Sequence, residues 1–441
     1  VNPIQDTLAQ IEPICNEIGV TRLCDITHMD RLDIPNFSAV LPGTDDVFWV
    51  YNGKGTSKLS AKVSALMEAI ERYSSLSSTY SKPFIRGENR QLSEVYGKVL
   101  NPAEVIEPVS SMYDDNCTTM DYVLGYDLLA SERILVPAEI ALYQHHPRHP
   151  AVGIFKSHTN GLASGIALEE AICHALCEVI ERDAVSIAEL CASSIEFTIL
   201  QSVLDSFTKI GKVGRFISPI NIGNIFVDNP NIFPDVDISE IAKEFEPINR
   251  LVTKFTSAKL PLTIKDITQK DIGIPVFSAS SVEWITHDYG YFAKGYGAHP
   301  DARIALARAI TEVSQTRAAN IHGARDDLKR INYKANDEIY KRKWQFMPSC
   351  SCSQYAQQKT NTVKFSGVQS YVTEDILDDV SLILAGLANA GLKRAIIVDL
   401  TNHKIGIPVV RAIVPGLETF EVTQSVMGKR AKDFYKSYLY G

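Results

Sequence analysis

One local phrase occurs three times in this chain of 441 residues and restricts its architecture more than any other feature. An apolar run leads into an Asp-Ile/Leu-Thr turn, then an Ile-Pro step, then a second apolar run, at positions 23–40, 262–280 and 395–415. Nine positions separate Asp from Pro in the last two copies (Asp266 to Pro275, Asp399 to Pro408) and ten in the first (Asp25 to Pro35). The flanks of the last two are rich in Val, Ile and Phe, so each reads as strand, turn, strand. Such recurrence means one supersecondary unit used more than once. The last two copies follow amphipathic segments at 238–258 and 375–392. The repeated phrase is then helix, strand, turn, strand, which predicts an α+β fold with sheets packed by helices.

With 45% hydrophobic and 22% charged side chains, the composition is that of a globular protein able to bury a real core. We expect one interwoven domain with subdivisions near 1–150, 151–330 and 331–441. The weakly periodic stretch 201–237, with its Gly, Asn and Pro, reads as a variable insertion or lid. Segment 325–363, polar and Lys-rich, reads as a helix plus a mobile loop.

Lys plus Arg number 44 against 52 Asp plus Glu, a net charge of −8 that removes the electrostatic footprint of a general nucleic-acid binder. No apolar run reaches the roughly 18 residues needed to span a bilayer. The first 23 residues carry Asp6, Glu12 and Glu17 where a signal peptide needs a basic end and an apolar stretch. From these features we expect a cytoplasmic protein, away from membranes. Its eight irregularly spaced cysteines then read as reduced thiols.

The sharpest chemical signal lies in two helices. Segment 57–75 has Val63, Leu66, Met67, Ile70 and Tyr73 at helical spacing, with Glu68 and Glu71 neighbours on its surface. Segment 168–190 has a stripe of Ile172, Ala175, Leu176 and Val179. At about 100° per residue, Glu170, Glu178 and Glu181 fall within about 80° of one another on the opposite side. One phrase links the two: Ala65-Leu-Met-Glu-Ala-Ile-Glu-Arg72 and Ala175-Leu-Cys-Glu-Val-Ile-Glu-Arg182 agree at six of eight positions. A looser third copy runs from Ala309 to Arg317.

Three carboxylates on one helix face repel unless water, arginines or a cation screens them, so magnesium is a candidate ligand. A solvated acidic face is the ordinary alternative for a single Glu-x-x-Glu pair, and recurrence of the phrase weakens it. A magnesium nucleotide would need glutamates for the cation, basic side chains for the phosphates and backbone donors at a glycine turn. Arg72 and Arg182 directly follow the second Glu of each pair, while Arg317 and Arg325 follow Gln315 of the third helix. Glycine turns lie upstream of both helices, at 52–56 and 159–165, although neither is a Walker A loop.

Other constellations carry less. His145, His146 and His149 sit in a proline-bearing stretch that reads as a surface loop rather than a zinc site. Cys173 and Cys177, one helical turn apart, read as small core residues, and Cys350 and Cys352 as a pair able at most to carry sulfur.

Three runs together resemble the YcaO family. They are Gly53-Lys-Gly followed by Ser64-Ala-Leu-Met-Glu-Ala-Ile-Glu-Arg72, then Gly161-Leu-Ala-Ser-Gly with Glu170, Glu178 and Glu-Arg-Asp183, then Ala305, Ala309, Glu312, Gln315 and Arg317. Asp399-Leu-Thr401 and Pro408-Val-Val-Arg411 fit the same family, and the likeness extends from about Thr21 to Glu418. The resemblance implies a YcaO-type fold around a central nucleotide site, with ATP and Mg²⁺ as cofactors. The implied chemistry is activation of a peptide backbone amide: a nucleophile adds to the amide carbon and ATP phosphorylates its oxygen, giving a thioamide, azoline or amidine. Carried over by position, Glu68, Glu71, Glu178 and Glu181, with Glu170 close by, match the magnesium ligands. Lys54, Ser64, Arg72, Asn160, Arg182, Gln315 and Arg317 match nucleotide contacts, and Glu68, Glu71, Glu178, Glu181 and Arg182 the catalytic set.

Azoline-forming members typically end in a proline-rich tail, whereas no proline follows Pro415 here. The resemblance therefore points to the compact branch that works with a separate TfuA-like protein and a sulfide donor to install a thioamide, as on a methanogen's methyl-coenzyme M reductase. A peptide or protein substrate and a homodimer are expected with it. Two other readings stay open: a cyclodehydratase of a peptide natural-product pathway, and a nucleotide-binding module without catalysis.

Overall fold

The computed structural model describes residues 3–46, 49–105, 113–114, 117–145, 155, 157–192, 231–282, 292–322, 360–423 and 427–439. The expected insertion at 201–237 lies outside them up to residue 230, as do Arg325, Cys350 and Cys352. Among the described residues no helix is long and apolar enough to cross a membrane.

All three recurrent phrases form antiparallel strand pairs. They are β1 (Arg22–Asp25) with β2 (Asn36–Val40), β9 (Thr263–Asp266) with β10 (Val276–Val282), and β13 (Ile396–Asp399) with β14 (Val409–Ile413). The turn chemistry is the same each time. The Thr backbone N–H donates to the Asp side chain at 3.0 Å, in Asp25/Thr27, Asp266/Thr268 and Asp399/Thr401. Each Thr hydroxyl then accepts from a returning amide: that of Asn36 at 3.2 Å, Val276 at 3.0 Å and Val409 at 3.3 Å. Both bonds are local side-chain closures of a turn, which is why the phrase is readable as a phrase.

Each pair carries a third antiparallel strand on the same side, and each third strand leads into a long helix. The third strands are β3 (Val50–Lys54) on β2, β11 (Phe292–Ala298) on β10, and β7 (Leu162–Ser164) on β14. The helices are α2 (Lys58–Ser75), α4 (Ala302–His322) and α3 (Leu168–Ala192). In every case the helix begins four residues past the strand: Lys54 to Lys58, Ser164 to Leu168, Ala298 to Ala302. The fold thus contains three copies of strand, turn, strand, strand, helix, with the strand-helix part of the third copy displaced earlier in the chain.

Further strands extend two of the sheets. β8 (Asp235–Asp237) and β12 (Thr362–Lys364) complete the order β11-β10-β9-β8-β12. β4 (Ile85–Glu88), β5 (Thr119–Asp127) and β6 (Glu132–Pro137) complete the order β4-β5-β13-β14-β7, with β6 on β5. This last sheet draws strands from each of the stretches 1–150, 151–330 and 331–441, so its core, including Val123, Leu162, Ile396 and Val409, forms only when distant parts of the chain meet.

The helix-strand junctions are unusually close because of glycine. A Cβ on Gly53 would stand 2.1 Å from the Ala65 nitrogen, and one on Gly297 2.1 Å from the Ala305 carbonyl oxygen. The helix backbone therefore lies directly on the strand. The opposing helix face is alanine: Ala61, Ala65 and Ala69 on α2, Ala305 and Ala309 on α4, all fully buried. This revises the stripe read from sequence on α2. Leu66 and Ile70 are buried as expected, while Val63, Met67 and Tyr73 are only partly so.

Caps and breaks follow the sequence. Ser57 and Ser60 form a capping box at the start of α2, and Asp375 caps α5 (Ile376–Asn389) by accepting from the Leu377 amide at 3.0 Å. Over 238–258 the expected amphipathic segment is two helices, Ile241–Glu244 and Glu246–Ser257, broken at Phe245, where Pro247 starts the second. The N-terminal helix α1 (Ile4–Ile18) packs on α2.

Candidate active site

Besides packing on its own strand, each long helix touches the third strand of another copy: α2 on β7, α3 on β11, α4 on β3. The three copies thereby close a ring around a cavity of about 730 Å³, a size suited to a nucleotide. Polar ties mark the seams. Ser164 Oγ donates to the Met67 carbonyl at 3.1 Å, and Gln315 Nε2 donates to the Asn52 carbonyl.

The cavity wall repeats as the fold does. Counting from the first helical residue, positions seven, eleven, fourteen and fifteen of every long helix line it. These are Ser64, Glu68, Glu71 and Arg72 on α2; His174, Glu178, Glu181 and Arg182 on α3; and Arg308, Glu312, Gln315 and Thr316 on α4. Spacings of three and four return the chain to one helix face, so the pattern is what a helix seen edge-on by one ligand must have. Lys54 at the end of β3 also lines the cavity, as does Glu170, whose Oε2 accepts the Ile166 amide at 2.9 Å just ahead of α3.

Ten of the twelve positions singled out from sequence therefore share one wall. Two lie elsewhere. Arg317 points to the opposite side of α4, where it makes a two-pronged pair with Asp30 at 2.8 and 3.0 Å, buried on both sides. Asn160 is buried and does not line the cavity, its backbone N–H donating to His158 Nδ1 at 3.2 Å and its side-chain oxygen without a partner. The glycines at 53, 55 and 165 are accounted for by helix packing. Arg308, Glu312, His174, Asn52 and Tyr296 were not singled out from sequence as site residues, and all line the cavity. For His174 and Arg308 the signal was the strand-to-helix count, visible once the three strands are known; Glu312 stood in the looser third copy of the phrase, and Asn52 and Tyr296 lie on the strands β3 and β11.

Six carboxyl groups (Glu68, Glu71, Glu170, Glu178, Glu181, Glu312) face four cations (Lys54, Arg72, Arg182, Arg308), an excess of two negative charges only when every carboxyl is ionised. Arg72 reaches Glu68 at 3.4 Å and Glu71 at 3.7 Å, and Arg182 reaches Glu178 at 3.9 Å and Glu181 at 4.0 Å. Lys54 pairs with Glu312, and despite burial that pairing holds the Glu312 carboxyl below the usual range. Arg72 also stacks over the Tyr143 ring at 5.8 Å; the hydroxyls of Tyr143 and Tyr51 both donate to the buried Asp46, at 3.0 and 2.8 Å.

Burial decides the charge state of the others. It pushes the Glu71 carboxyl up to about 8, with Glu178 and Glu68 adding repulsion and Arg72 opposing. It pushes Glu181 to about 7, with Glu312 adding to it, and raises Glu68 and Glu178 as well. Arg308, then burial, drives His174 well below the ordinary histidine range, so its ring is neutral. Crowded, buried carboxyls of this kind are stabilised in their ionised form by a bound cation.

The family model for the YcaO cyclodehydratase, ATP- and Mg²⁺-binding, matches residues 52–214 and 227–418. The chain belongs to the YcaO family. An uncharacterized protein of Methanothermobacter thermautotrophicus is 32% identical over 97% of both chains. A protein of Rhizobium leguminosarum bv. trifolii described as lying in the tfuA 3′ region is 26% identical, over 95% of this chain and 88% of that one. Among solved structures, the YcaO of Methanopyrus kandleri bound with AMPPCP and Mg²⁺ matches with a TM-score of 0.66 at 23% identity, over 97% of this chain and 95% of that one. A heterocyclase in complex with substrate and cofactor matches with a TM-score of 0.68 at 21% identity, covering 95% of this chain but 53% of the heterocyclase. The mixed helix-and-sheet architecture is thus the YcaO fold, and this YcaO chain is an ATP-dependent enzyme of a family that binds ATP and Mg²⁺.

Proposed function

We propose that this YcaO protein phosphorylates the oxygen of a peptide backbone amide and replaces it with sulfur. The observation that carries the reading is the threefold repeat of Glu, Glu/Gln and Arg/Thr positions around one cavity. Glu68, Glu71, Glu178 and Glu181 would hold magnesium, with Glu170 beside them, and bound magnesium would neutralise charge on the transferring phosphoryl group. Arg72, Arg182, Arg308 and Lys54 supply fixed positive charge in a partly enclosed wall, where it acts on phosphate oxygens without reorganising. The neutral His174 and the amide of Gln315 add donors that do not compete for the cation.

In the proposed step, hydrosulfide adds to the amide carbon, the former carbonyl oxygen takes the γ-phosphoryl group of ATP, and ADP leaves. Inorganic phosphate then departs with that oxygen and the added sulfur loses its proton as the C=S bond forms. The sum is amide plus hydrosulfide plus ATP giving thioamide plus ADP plus phosphate. An amide oxygen is a poor leaving group, and phosphorylation removes that obstacle.

The tfuA-region relative favours sulfide as the nucleophile and a TfuA-like partner as the means of delivery. Ring formation by a Cys, Ser or Thr side chain is the second reading, favoured by the likeness to a heterocyclase. Incubating the protein with ATP, Mg²⁺, sulfide, a TfuA-like partner and a candidate peptide separates them by mass spectrometry. Exchange of oxygen for sulfur is the expected result; loss of one water indicates the ring, and nucleotide binding without phosphate release would reduce the protein to a binding module.

A further inference from the structure

Helix α3 carries a second constellation on a different face. Cys173 lies one residue before the cavity-lining His174, hence about 100° around the helix from it, and is buried. Its sulfur, a ring nitrogen of His299 and a carboxylate oxygen of Asp379 all lie within 4.8 Å of one another. They come from three separate places: α3, the turn after β11, and the first turn of α5.

Asp379 is the group whose surroundings call for a cation. It is buried, it accepts a hydrogen bond from Thr373 Oγ1 at 2.9 Å, and no Lys or Arg pairs with it among the described residues. The charged side chains that act on it are Asp301 and Asp378, both of its own sign. Asp301 is itself committed to Arg303, at 2.6 Å. A buried carboxylate in this position needs either several donors or a positive charge.

A Cys-His-Asp relay is the competing arrangement, and it requires one ring nitrogen for the thiol and the other for the carboxylate. Here a single ring nitrogen of His299 lies within 4.8 Å of both the Cys173 sulfur and an Asp379 oxygen, so the two neighbours converge on one nitrogen instead of taking one each; the ring's Nδ1 accepts the Asp301 amide at 3.0 Å. Convergence of thiol, imidazole and carboxylate on one point is instead the donor set of a zinc-class ion; magnesium and calcium take oxygen alone. A thiolate and a carboxylate also sum to the charge that a dication cancels, while Arg308 of the nucleotide wall acts on both Cys173 and His299.

We infer that Cys173, His299 and Asp379 bind a zinc-class transition-metal dication, separate from the nucleotide wall, that pins α5 and the β11–α4 turn onto α3. Ligand atoms of a tetrahedral zinc stand roughly 3.2–3.8 Å apart, so side-chain rotations of about an ångström complete the site. Loading the imidazole gives up the Asp301 amide contact, a small loss beside three coordinate bonds. Water takes the fourth position.

The full-length protein, produced in zinc-supplemented medium, is assayed for metal by mass spectrometry. One zinc per chain is expected, lost in Cys173→Ser and in Asp379→Asn, retained in Cys191→Ser and in the nucleotide-wall variant Glu178→Gln. Cobalt titration of the metal-stripped wild-type protein reads the same site without depending on any variant's folding, through sulfur-to-cobalt charge-transfer absorption. Wild-type protein with far less than one zinc per chain and no such absorption overturns the inference, and so does full zinc retention by both ligand variants.

Discussion

At the residue scale, the carboxylates of the wall can be tested without disturbing the fold. Glu178→Gln and Glu181→Gln keep shape and volume while removing a negative charge from the cation's surroundings. Each should leave the circular-dichroism spectrum intact and lower ATP turnover by about 10²–10³-fold. Phosphate release near the wild-type rate by both would contradict the assignment. A pH dependence follows from the raised carboxyls. From their usual 4.5 up to about 7 for Glu181 and about 8 for Glu71, the metal-free native protein holds protons that the unfolded chain has released. Stability of the metal-free protein should therefore fall as pH rises from about 5 to 8. Mg²⁺ with a nucleotide should flatten that slope and release protons on binding, which calorimetry in buffers of different ionisation enthalpy detects; binding without proton release at pH 7 would count against it. Glu68, Glu71, Glu178, Glu181, Arg72 and Arg182 were legible because two helices spell the phrase almost identically. Glu312 stood in the looser third copy but was not singled out as a site residue, because Gln315 and Thr316 replace the Glu and Arg that give the first two copies their meaning. Arg308 was not legible because the matching places in the other helices are Ser64 and His174.

At the scale of elements, the glycine-alanine junctions set where the helices sit. Gly297→Ala and Gly53→Ala each place a Cβ about 2.1 Å from helix backbone, which cannot move aside as a flexible side chain would. Overpacking of this kind costs about 1–3 kcal/mol or more, so a lower thermal midpoint should appear together with weaker ATP affinity, because the helix carrying the wall is pushed out. An unchanged midpoint in both variants would show that the junction relaxes. The strand-turn-strand phrases could be read directly, since each is closed by hydrogen bonds within about ten residues. The third strands could not. Leu162–Ser164 is three residues long and has no strand signature, and it pairs with Val409–Arg411, some 250 positions away in sequence.

Across the whole molecule, the wall exists only where three copies close on one another, and the ties between copies are partly polar and buried. Arg317 with Asp30, and Asn36 with Ser314 at 2.8 Å, bind α4 to the first copy away from the cavity lining. Removing one partner of a buried ion pair costs about 3–5 kcal/mol. Arg317→Leu should therefore lower stability by that order in chemical denaturation while the folded fraction binds ATP with near-native affinity. A loss of affinity with unchanged stability would return Arg317 to the nucleotide. The amino-acid sequence alone settled the repeated turns, the helix faces bearing Glu and Arg, and the family, because each is written in contiguous residues whose spacing carries local geometry. Which of those faces look at one another, that Arg317 looks away, and that Cys173, His299 and Asp379 meet were decided by tertiary structure, since long-range packing orients each helix about its axis and no neighbouring residues record that angle.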